Sequence, residues 1–108
     1  MLFQFFKNIF GAGNATDFAA LIANDAQIVD VRTPQEYQSG HLKFAVNIPV
    51  QVLLQQLSKL DKAKPVITCC ASGMRSASAK SILLANGFEE VYNGGSWVSL
   101  KKFESKDA

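Results

Sequence analysis

The sequence predicts an α/β fold in which helices cover both faces of a central, mostly parallel sheet. Short runs of branched apolar residues alternate along the chain with segments of helical periodicity, which is typical of strand–helix–strand crossovers. The apolar runs are nearly continuous, as expected for strands that are buried on both faces. The length of 108 residues fits one domain, and a hydrophobic content of 48% supports an ordinary core.

Four segments are predicted as strands. Residues 27–31 (QIVDV) and 65–69 (PVITC) give the strongest signal because they are rich in Val and Ile, which favour an extended backbone. Residues 44–48 (FAVNI) and 89–93 (EEVYN) are weaker versions of the same pattern. Pro65 stands at the first position of its strand, where a missing N–H is tolerated.

Helical patterns fill the intervals between these runs. In the first of them, Phe18, Leu21 and Ile22 share one face of the helix. Its N-cap is expected to be Asn14 or Thr16, because a side-chain oxygen there can accept from the first turn.

The second helix begins with a compact start signal. Thr33 is the expected N-cap, Pro34 stands in the first turn, and Glu36 completes a capping box. Gly40 is expected to end this short helix, and Glu36 is assigned no role beyond the cap.

Three further helices are predicted in the second half of the chain. Residues 75–85 form a helix that Asn86 and Gly87 should end. Ser96 is expected to cap the last helix. The helix over residues 50–60 has five apolar side chains at helical spacing, namely Val50, Leu53, Leu54, Leu57 and Leu60.

Charge and cysteine content exclude several classes of function. The net charge of +2 is too mild for nucleic-acid binding, and no basic run is longer than Lys101–Lys102. The two cysteines, Cys69 and Cys70, are adjacent and cannot form an unstrained disulfide. With His41 as the one histidine, no metal site and no cofactor is predicted. Free thiols indicate a reducing compartment, so we predict a cytoplasmic protein.

The N-terminal segment, residues 1–13, is apolar, but Lys7 interrupts it and Gly11 ends its longest run. That run is too short to span a bilayer, and its internal charge is unlike a signal peptide. We predict that the segment packs on a domain formed by residues 14–108. The alternative is that the segment contacts a membrane surface or a partner. A domain of this size is expected to be a monomer.

The segment from Cys70 to Ser76 combines a thiol with the features of an anion site. Cys70 is expected at the carboxyl end of a strand, where open parallel sheets place their sites. The tight turn that follows consists of Ala71, Ser72, Gly73 and Met74. Gly73 can adopt positive φ, and the helix opened by Arg75 has unpaired N–H groups in its first turn. The sequence therefore predicts a cradle of backbone amides with a thiol at its base.

This cradle is expected to ionise Cys70. A free thiol has a pKa of about 8.5, and a helix N-terminus alone lowers it by about one unit. Amide hydrogen bonds and the charge of Arg75 should lower it further, which predicts an exposed thiolate nucleophile at neutral pH. A buried, inert thiol is the alternative. Cys69 is expected to face the other side of the sheet and to serve packing, with a resolving or redox role as the alternative.

Four blocks occur in a fixed order along the chain: DVRTPQEYQSGHL at residues 30–42, AVNIP at 45–49, CASGMRS at 70–76 and VYNGGSW at 91–97. In order and spacing they resemble the single-domain rhodaneses, a family of sulfurtransferases. The resemblance covers most of the chain. It implies a three-layer rhodanese-like fold with about five parallel strands.

The resemblance also implies a mechanism. Cys70 would attack the outer sulfur of a small anionic donor such as thiosulfate, release sulfite, and carry the sulfur as a persulfide to cyanide or a thiol. The persulfide would be held by the backbone amides of Ala71, Ser72, Gly73, Met74 and Arg75. Arg75 would also bind the anionic end of the donor, since a guanidinium suits sulfonate-like oxygens.

Ala71 departs from the family pattern. Many thiosulfate-using members carry Arg at this position, directly after the nucleophile. The loss of that cation should weaken the binding of a dianion. A protein persulfide or a small persulfide is therefore an alternative donor.

The other residues of the resemblance have structural interpretations. Asp30 and Arg32 either hold the active loop or form an internal salt bridge. Tyr37 and His41 are expected to serve packing and hydrogen bonding, with His41 as a proton donor the minor alternative.

Three other functions compete with sulfur transfer. Cysteine phosphatases use a similar loop, but theirs is one residue longer than the four residues between Cys70 and Arg75. A carrier that relays a persulfide without turnover would share all the features above. A dithiol redox protein would need a strained disulfide between Cys69 and Cys70.

Overall fold

The structure is a computed structural model that describes residues 16–104. One parallel sheet has the strand order β2-β1-β3-β4. Its strands are β1 (Gln27–Asp30), β2 (Val46–Asn47), β3 (Val66–Cys70) and β4 (Val91–Ser96). Each segment predicted as a strand contributes one of them, so the α/β class and the parallel sheet are confirmed. About five strands were implied by the resemblance, and the described residues contain four.

The predictions for the chain ends lie outside the described residues. These are the packing of residues 1–13 and the extent of the domain over residues 14–108. Within residues 16–104, no helix is both long enough and apolar enough to cross a membrane. The same part of the chain contains no group of three His, Cys, Asp or Glu side chains that could hold a metal ion.

Helices cover both faces of the sheet. One face packs against α1 (Phe18–Ala23) and a 3₁₀ helix, Trp97–Phe103. The other face packs against α3 (Met74–Ala85) and a 3₁₀ helix, Val50–Lys59. A short α2 (Pro34–Ser39) follows β1.

Alternation along β3 divides the core between the two faces. Ile67 and Cys69 belong to one hydrophobic cluster, whereas Val66 and Cys70 belong to the other. All five residues of β3 are buried, as expected for a central strand between two layers. Cys70, the last residue of this buried strand, therefore lies at the carboxyl edge of the sheet.

The predicted caps of α2 and α3 are confirmed. The Thr33 side chain accepts from the N–H of Glu36, and the Glu36 carboxylate accepts from the N–H of Thr33 at 2.9 Å. Gly40 is the C-cap of α2. Helix α3 ends at Ala85 with Asn86 as its C-cap, and Gly87 then takes a left-handed φ of +94°.

The start of α1 differs from the prediction. Asp17 is the N-cap, and its Oδ1 accepts from the N–H of Ala20 at 3.0 Å. Thr16 lies one residue too early, because the helix begins at Phe18. The alternative cap, Asn14, lies outside the described residues.

Two predicted α-helices are 3₁₀ helices in the structure. The Val50–Lys59 segment also breaks helical geometry at Gln56, where φ is −125°. A 3₁₀ turn has about three residues, so the α-helical spacing does not keep all five apolar residues on one face. Leu53 is buried while Leu54 is 58% exposed, which corrects the expectation that the apolar side chains of this helix share one face. The last helix keeps its predicted cap, since Ser96 Oγ accepts from the N–H of Val98 at 3.3 Å.

The pairing of β4 with the end of β3 contains a bulge. Asn93 pairs with Thr68 and Ser96 pairs with Cys70, so two residues of β4 lie opposite one residue of β3. The two residues opposite Cys69 are Gly94 and Gly95, one more than a regular ladder would place there, and Gly95 has a left-handed φ of +77°. The Gly–Gly pair thus lets β4 bend at the height of the cysteine.

Gly94→Ala is expected to destabilise the domain by about 1–3 kcal/mol, because it overpacks a closed space. A Cβ at this position would lie 2.9 Å from side-chain carbons of Ile67 and Leu100, and 3.0 Å from the backbone oxygen of Thr68. Urea unfolding measures the loss. Gly95→Ala serves as the control, since nothing lies within 4 Å of a Cβ there and only the left-handed φ opposes it. An unchanged midpoint for Gly94→Ala contradicts the prediction.

Candidate active site

The cysteine loop occupies the carboxyl end of β3, as predicted. Cys70 is the last residue of the strand, and α3 begins at Met74. Gly73 is the N-cap of α3 and has a left-handed φ of +106°, which a residue with a Cβ rarely adopts. This conformation aims the Gly73 N–H at the cysteine sulfur, 3.0 Å away.

Two further groups contact the Cys70 sulfur. The N–H of Ser76 donates to it over 3.4 Å, and Ser76 Oγ also lies 3.4 Å away. Burial acts to raise the pKa of the Cys70 thiol, but hydrogen bonds from Ser76 and from the loop backbone lower it. The second effect prevails, so the pKa lies below the ordinary thiol value. The cradle therefore favours the thiolate that the sequence predicted.

The expected exposure of Cys70 is wrong. The residue is 0% exposed because the loop amides turn inward over its sulfur and Ser76, also 0% exposed, closes the inner side. Ala71 and Ser72, the next residues along the chain, are exposed. The sulfur is thus sheltered by one layer of loop at the protein surface.

Asn93 on β4 ties the loop to the sheet, a role that the sequence did not reveal. Its Oδ1 accepts from Ser76 Oγ at 2.6 Å and from the N–H of Gly95 at 2.9 Å. Its Nδ2 donates to the Gly73 oxygen at 3.2 Å. The signal available in the sequence was a polar residue, Asn93, that directly precedes the Gly94–Gly95 pair at the end of the predicted strand 89–93.

Ser76→Ala is expected to slow the alkylation of Cys70 at neutral pH by about twofold to tenfold, the equivalent of one net hydrogen bond. The hydroxyl, which donates to Asn93 Oδ1 while Cys70 is a thiol, can turn its one proton to the sulfur of the thiolate. Its removal therefore raises the thiol pKa, and a smaller fraction is thiolate. At alkaline pH both proteins are fully ionised and the difference should vanish. The measurement is the iodoacetamide rate against pH.

Ser72→Ala is the matched control for that measurement, because its exposed side chain is removed while its backbone N–H stays. Equal pH profiles for Ser76→Ala and the unaltered protein would show that the hydroxyl does not support the thiolate.

Arg75 is already paired in the structure. Its Nη1 lies 2.7 Å from Glu36 Oε1 and its Nη2 lies 3.0 Å from Oε2, a bidentate contact. The hydrogen bond from Arg75, followed by the helix cap at Thr33, lowers the pKa of Glu36 to about 2. Glu36 is therefore more than a helix cap, and the guanidinium expected to bind a donor is occupied by a carboxylate.

Asp30 and Arg32 form an internal salt bridge, one of the two predicted alternatives. Both are buried, and Arg32 donates to the Asp30 carboxylate from Nε at 2.9 Å and from Nη2 at 2.7 Å. Nη2 also donates to the Gly40 oxygen at 2.7 Å, and the guanidinium lies 4.7 Å from the Trp97 ring centroid. The pair fixes the end of α2 to β1.

Tyr37 and His41 occupy structural positions in agreement with their predicted roles. The Tyr37 hydroxyl donates to the Ala45 oxygen at 2.6 Å. The His41 ring stacks on the Tyr37 ring with centroids 3.8 Å apart, and His41 Nδ1 lies 2.7 Å from the backbone oxygen of Tyr37.

Cys69 faces the opposite side of the sheet from Cys70, as predicted. It is 0% exposed, and burial, with a smaller effect of the Asp30 charge, raises the pKa of its thiol to about 12. Such a thiol stays protonated at neutral pH. The two adjacent cysteines therefore differ in their chemistry, and only Cys70 has the environment of a nucleophile.

Comparison with known proteins agrees with this geometry. Residues 14–101 match the family described as Rhodanese-like domain. The chain is 41% identical over 68 residues to the uncharacterized protein YqhL of Bacillus subtilis, with 63% of this chain and 54% of that protein covered. It is 35% identical over 75 residues to the thiosulfate sulfurtransferase GlpE of Vibrio cholerae, with 69% and 71% covered.

A solved structure gives the same result. The structure described as "rhodanese with anions from E. coli" superposes with a TM-score of 0.64 at 33% identity, over 68% of this chain and 88% of that one. The chain spans about half the length of the Bacillus relative. Since the family match covers most of the sequence and the fold agrees, this chain belongs to the rhodanese-like domain family.

Proposed function

We propose that this protein is a sulfurtransferase that moves a sulfane sulfur from a donor to a thiophilic acceptor through a persulfide on Cys70. The observation that carries the proposal is the environment of the Cys70 sulfur at the end of β3. This sulfur accepts hydrogen bonds from the N–H groups of Gly73 and Ser76. Its pKa is lowered although the residue is buried. The identity of 35% to a thiosulfate sulfurtransferase supports the same reaction class.

The proposed reaction is two nucleophilic displacements at sulfur. The Cys70 thiolate attacks the outer sulfur of thiosulfate or of a persulfide. A bond to Cys70 forms, the sulfur–sulfur bond of the donor breaks, and sulfite or a thiolate leaves with the electron pair. A thiol or cyanide then attacks the outer sulfur of the Cys70 persulfide and regenerates the thiolate. The nucleophile enters already ionised, so it requires no neighbouring base.

The loop is the proposed binding element for the transferred sulfur. Its backbone N–H groups come from Ala71, Ser72, Gly73, Met74 and Arg75. The first-turn amides of α3 have no partner within the helix and favour negative charge. Met74, at the start of this helix, is 79% exposed and so lies at the rim that a donor or acceptor would meet.

A persulfide carrier without turnover is the second candidate. It is favoured by the burial of Cys70, because a loop over the sulfur would protect a persulfide between loading and delivery. In that case a partner protein would supply or receive the sulfur. In both forms we propose a monomer in the cytoplasm, where thiols stay reduced.

Intact-mass measurement tests the proposal. Incubation with thiosulfate, or with a small organic persulfide, should add the mass of one sulfur atom, and cyanide should then remove it as thiocyanate. Rapid turnover in the presence of excess donor and cyanide would support the enzyme. Fast loading from the persulfide with slow turnover would support the carrier. If neither donor adds sulfur, the proposal is wrong.

A further inference from the structure

We propose that Glu36 is a specificity-determining residue of the sulfur-transfer site. By holding Arg75, it disfavours small dianionic donors such as thiosulfate relative to donors with one negative charge or none, such as organic persulfides. The inference rests on the proposed function and extends it to the class of donor.

The contact between Glu36 and Arg75 occupies the part of the guanidinium that an anion would use. Both terminal nitrogens of Arg75 donate to the carboxylate, at 2.7 and 3.0 Å. The oxygens of a sulfonate-like group fit the same fork. Such a donor can therefore reach the fork of Arg75 only by displacing Glu36.

Glu36 is itself held in place by α2. Its Oε1 accepts from the N–H of Thr33 at 2.9 Å and lies 3.1 Å from Thr33 Oγ1. Its backbone oxygen accepts from Arg32 Nη1 at 3.3 Å, and Arg32 is anchored to the buried Asp30. Displacement of the carboxylate would break the capping box as well as the ion pair.

The charge balance at the loop points the same way. Arg75 is the single cationic residue between Cys70 and Ser76, because position 71 is Ala. Glu36 cancels that one charge, while the Cys70 thiolate adds a negative charge. A dianion that approaches this sulfur therefore meets no unpaired cation from the loop and is repelled by the thiolate. A neutral or singly charged persulfide is repelled less than a dianion.

Glu36→Gln is the test variant. Glutamine keeps a side-chain oxygen that can accept from the N–H of Thr33, but it removes the negative charge. The KM for thiosulfate should fall by about threefold to tenfold, and the effect should shrink at high salt. The KM for a small organic persulfide, and kcat with either donor, should change by less than about twofold.

Arg75 provides the control for the proposed route of action. In an Arg75→Gln background, Glu36→Gln should lower the thiosulfate KM by clearly less than it does in the unaltered protein, because the competition for the guanidinium is gone. Urea midpoints report whether each variant is folded. Glu36→Met, a good helix former of similar length, provides the same loss of charge if the glutamine variant is unstable.

The outcomes separate the inference from the proposed function. If Cys70 accepts sulfur but Glu36→Gln leaves the thiosulfate KM unchanged, or lowers both KM values equally, the inference is wrong and the function stands. The inference is also wrong if the change persists fully without Arg75. If neither donor loads Cys70 in the unaltered protein, the proposed function itself fails.

Discussion

Cys70→Ser is expected to abolish sulfur loading and to reduce thiocyanate formation by at least about 10³-fold. A serine hydroxyl at this position would stay protonated at neutral pH, and the loop holds no base that could ionise it. The amide hydrogen bonds that stabilise a thiolate cannot supply the missing nucleophile. Intact mass after incubation with each donor, together with the rate of thiocyanate release, measures the loss.

Cys69→Ser is the matched control, because the substitution is the same and the position is one residue earlier. Cys69 faces the other hydrophobic cluster, and its thiol has a pKa of about 12. We therefore expect Cys69→Ser to cost stability but to keep sulfur loading in the folded fraction. Thiocyanate formation by Cys70→Ser, or loading that depends on Cys69, would remove the basis of the proposed mechanism.

Asp30→Asn is expected to lower the free energy of unfolding by about 3–5 kcal/mol, the typical cost of breaking a buried ion pair from one side. Arg32 is 4% exposed and would keep a charge that no longer has its counterion. The carboxylate also accepts the N–H of Arg32, at 3.1 Å. Urea unfolding, followed by a spectroscopic signal, gives the free energy.

The surface pair of Asp25 and Lys64 offers the matched control. Its atoms are 2.8 Å apart, yet the side chains are 76% and 45% exposed. Asp25→Asn should therefore cost less than about 1 kcal/mol, and asparagine tolerates the left-handed φ of +73° at this position. Equal losses for the two substitutions would show that burial does not decide the strength of the Asp30 pair.

Local chemistry explains why much of the fold could be predicted. Three kinds of feature depend on residues that are near each other in the sequence. They are the four strand segments, the capping box of Thr33 and Glu36, and the C-cap of α3 at Asn86. The opposite directions of Cys69 and Cys70 follow from the period of two along a strand. The position of Cys70 at a carboxyl edge follows from parallel topology.

Other features depend on contacts between distant segments, which no local pattern encodes. Arg75 meets Glu36 across 39 positions of sequence, and Ser76 meets Asn93 across 17. Both contacts exist because β1, β3 and β4 are neighbours whose ends lie at one edge of the sheet. The burial of Cys70 and the 3₁₀ form of two helices were likewise missed, since packing between elements decides them.

The sequence alone identified Cys70 as the cysteine whose sulfur meets the backbone amides of the following loop. The neutralisation of the Arg75 charge arises in the folded chain, where both of its terminal nitrogens contact Glu36. Backbone amides contact the cysteine from within six residues, whereas the carboxylate that meets Arg75 lies on a separate helix and arrives through the packing of the sheet.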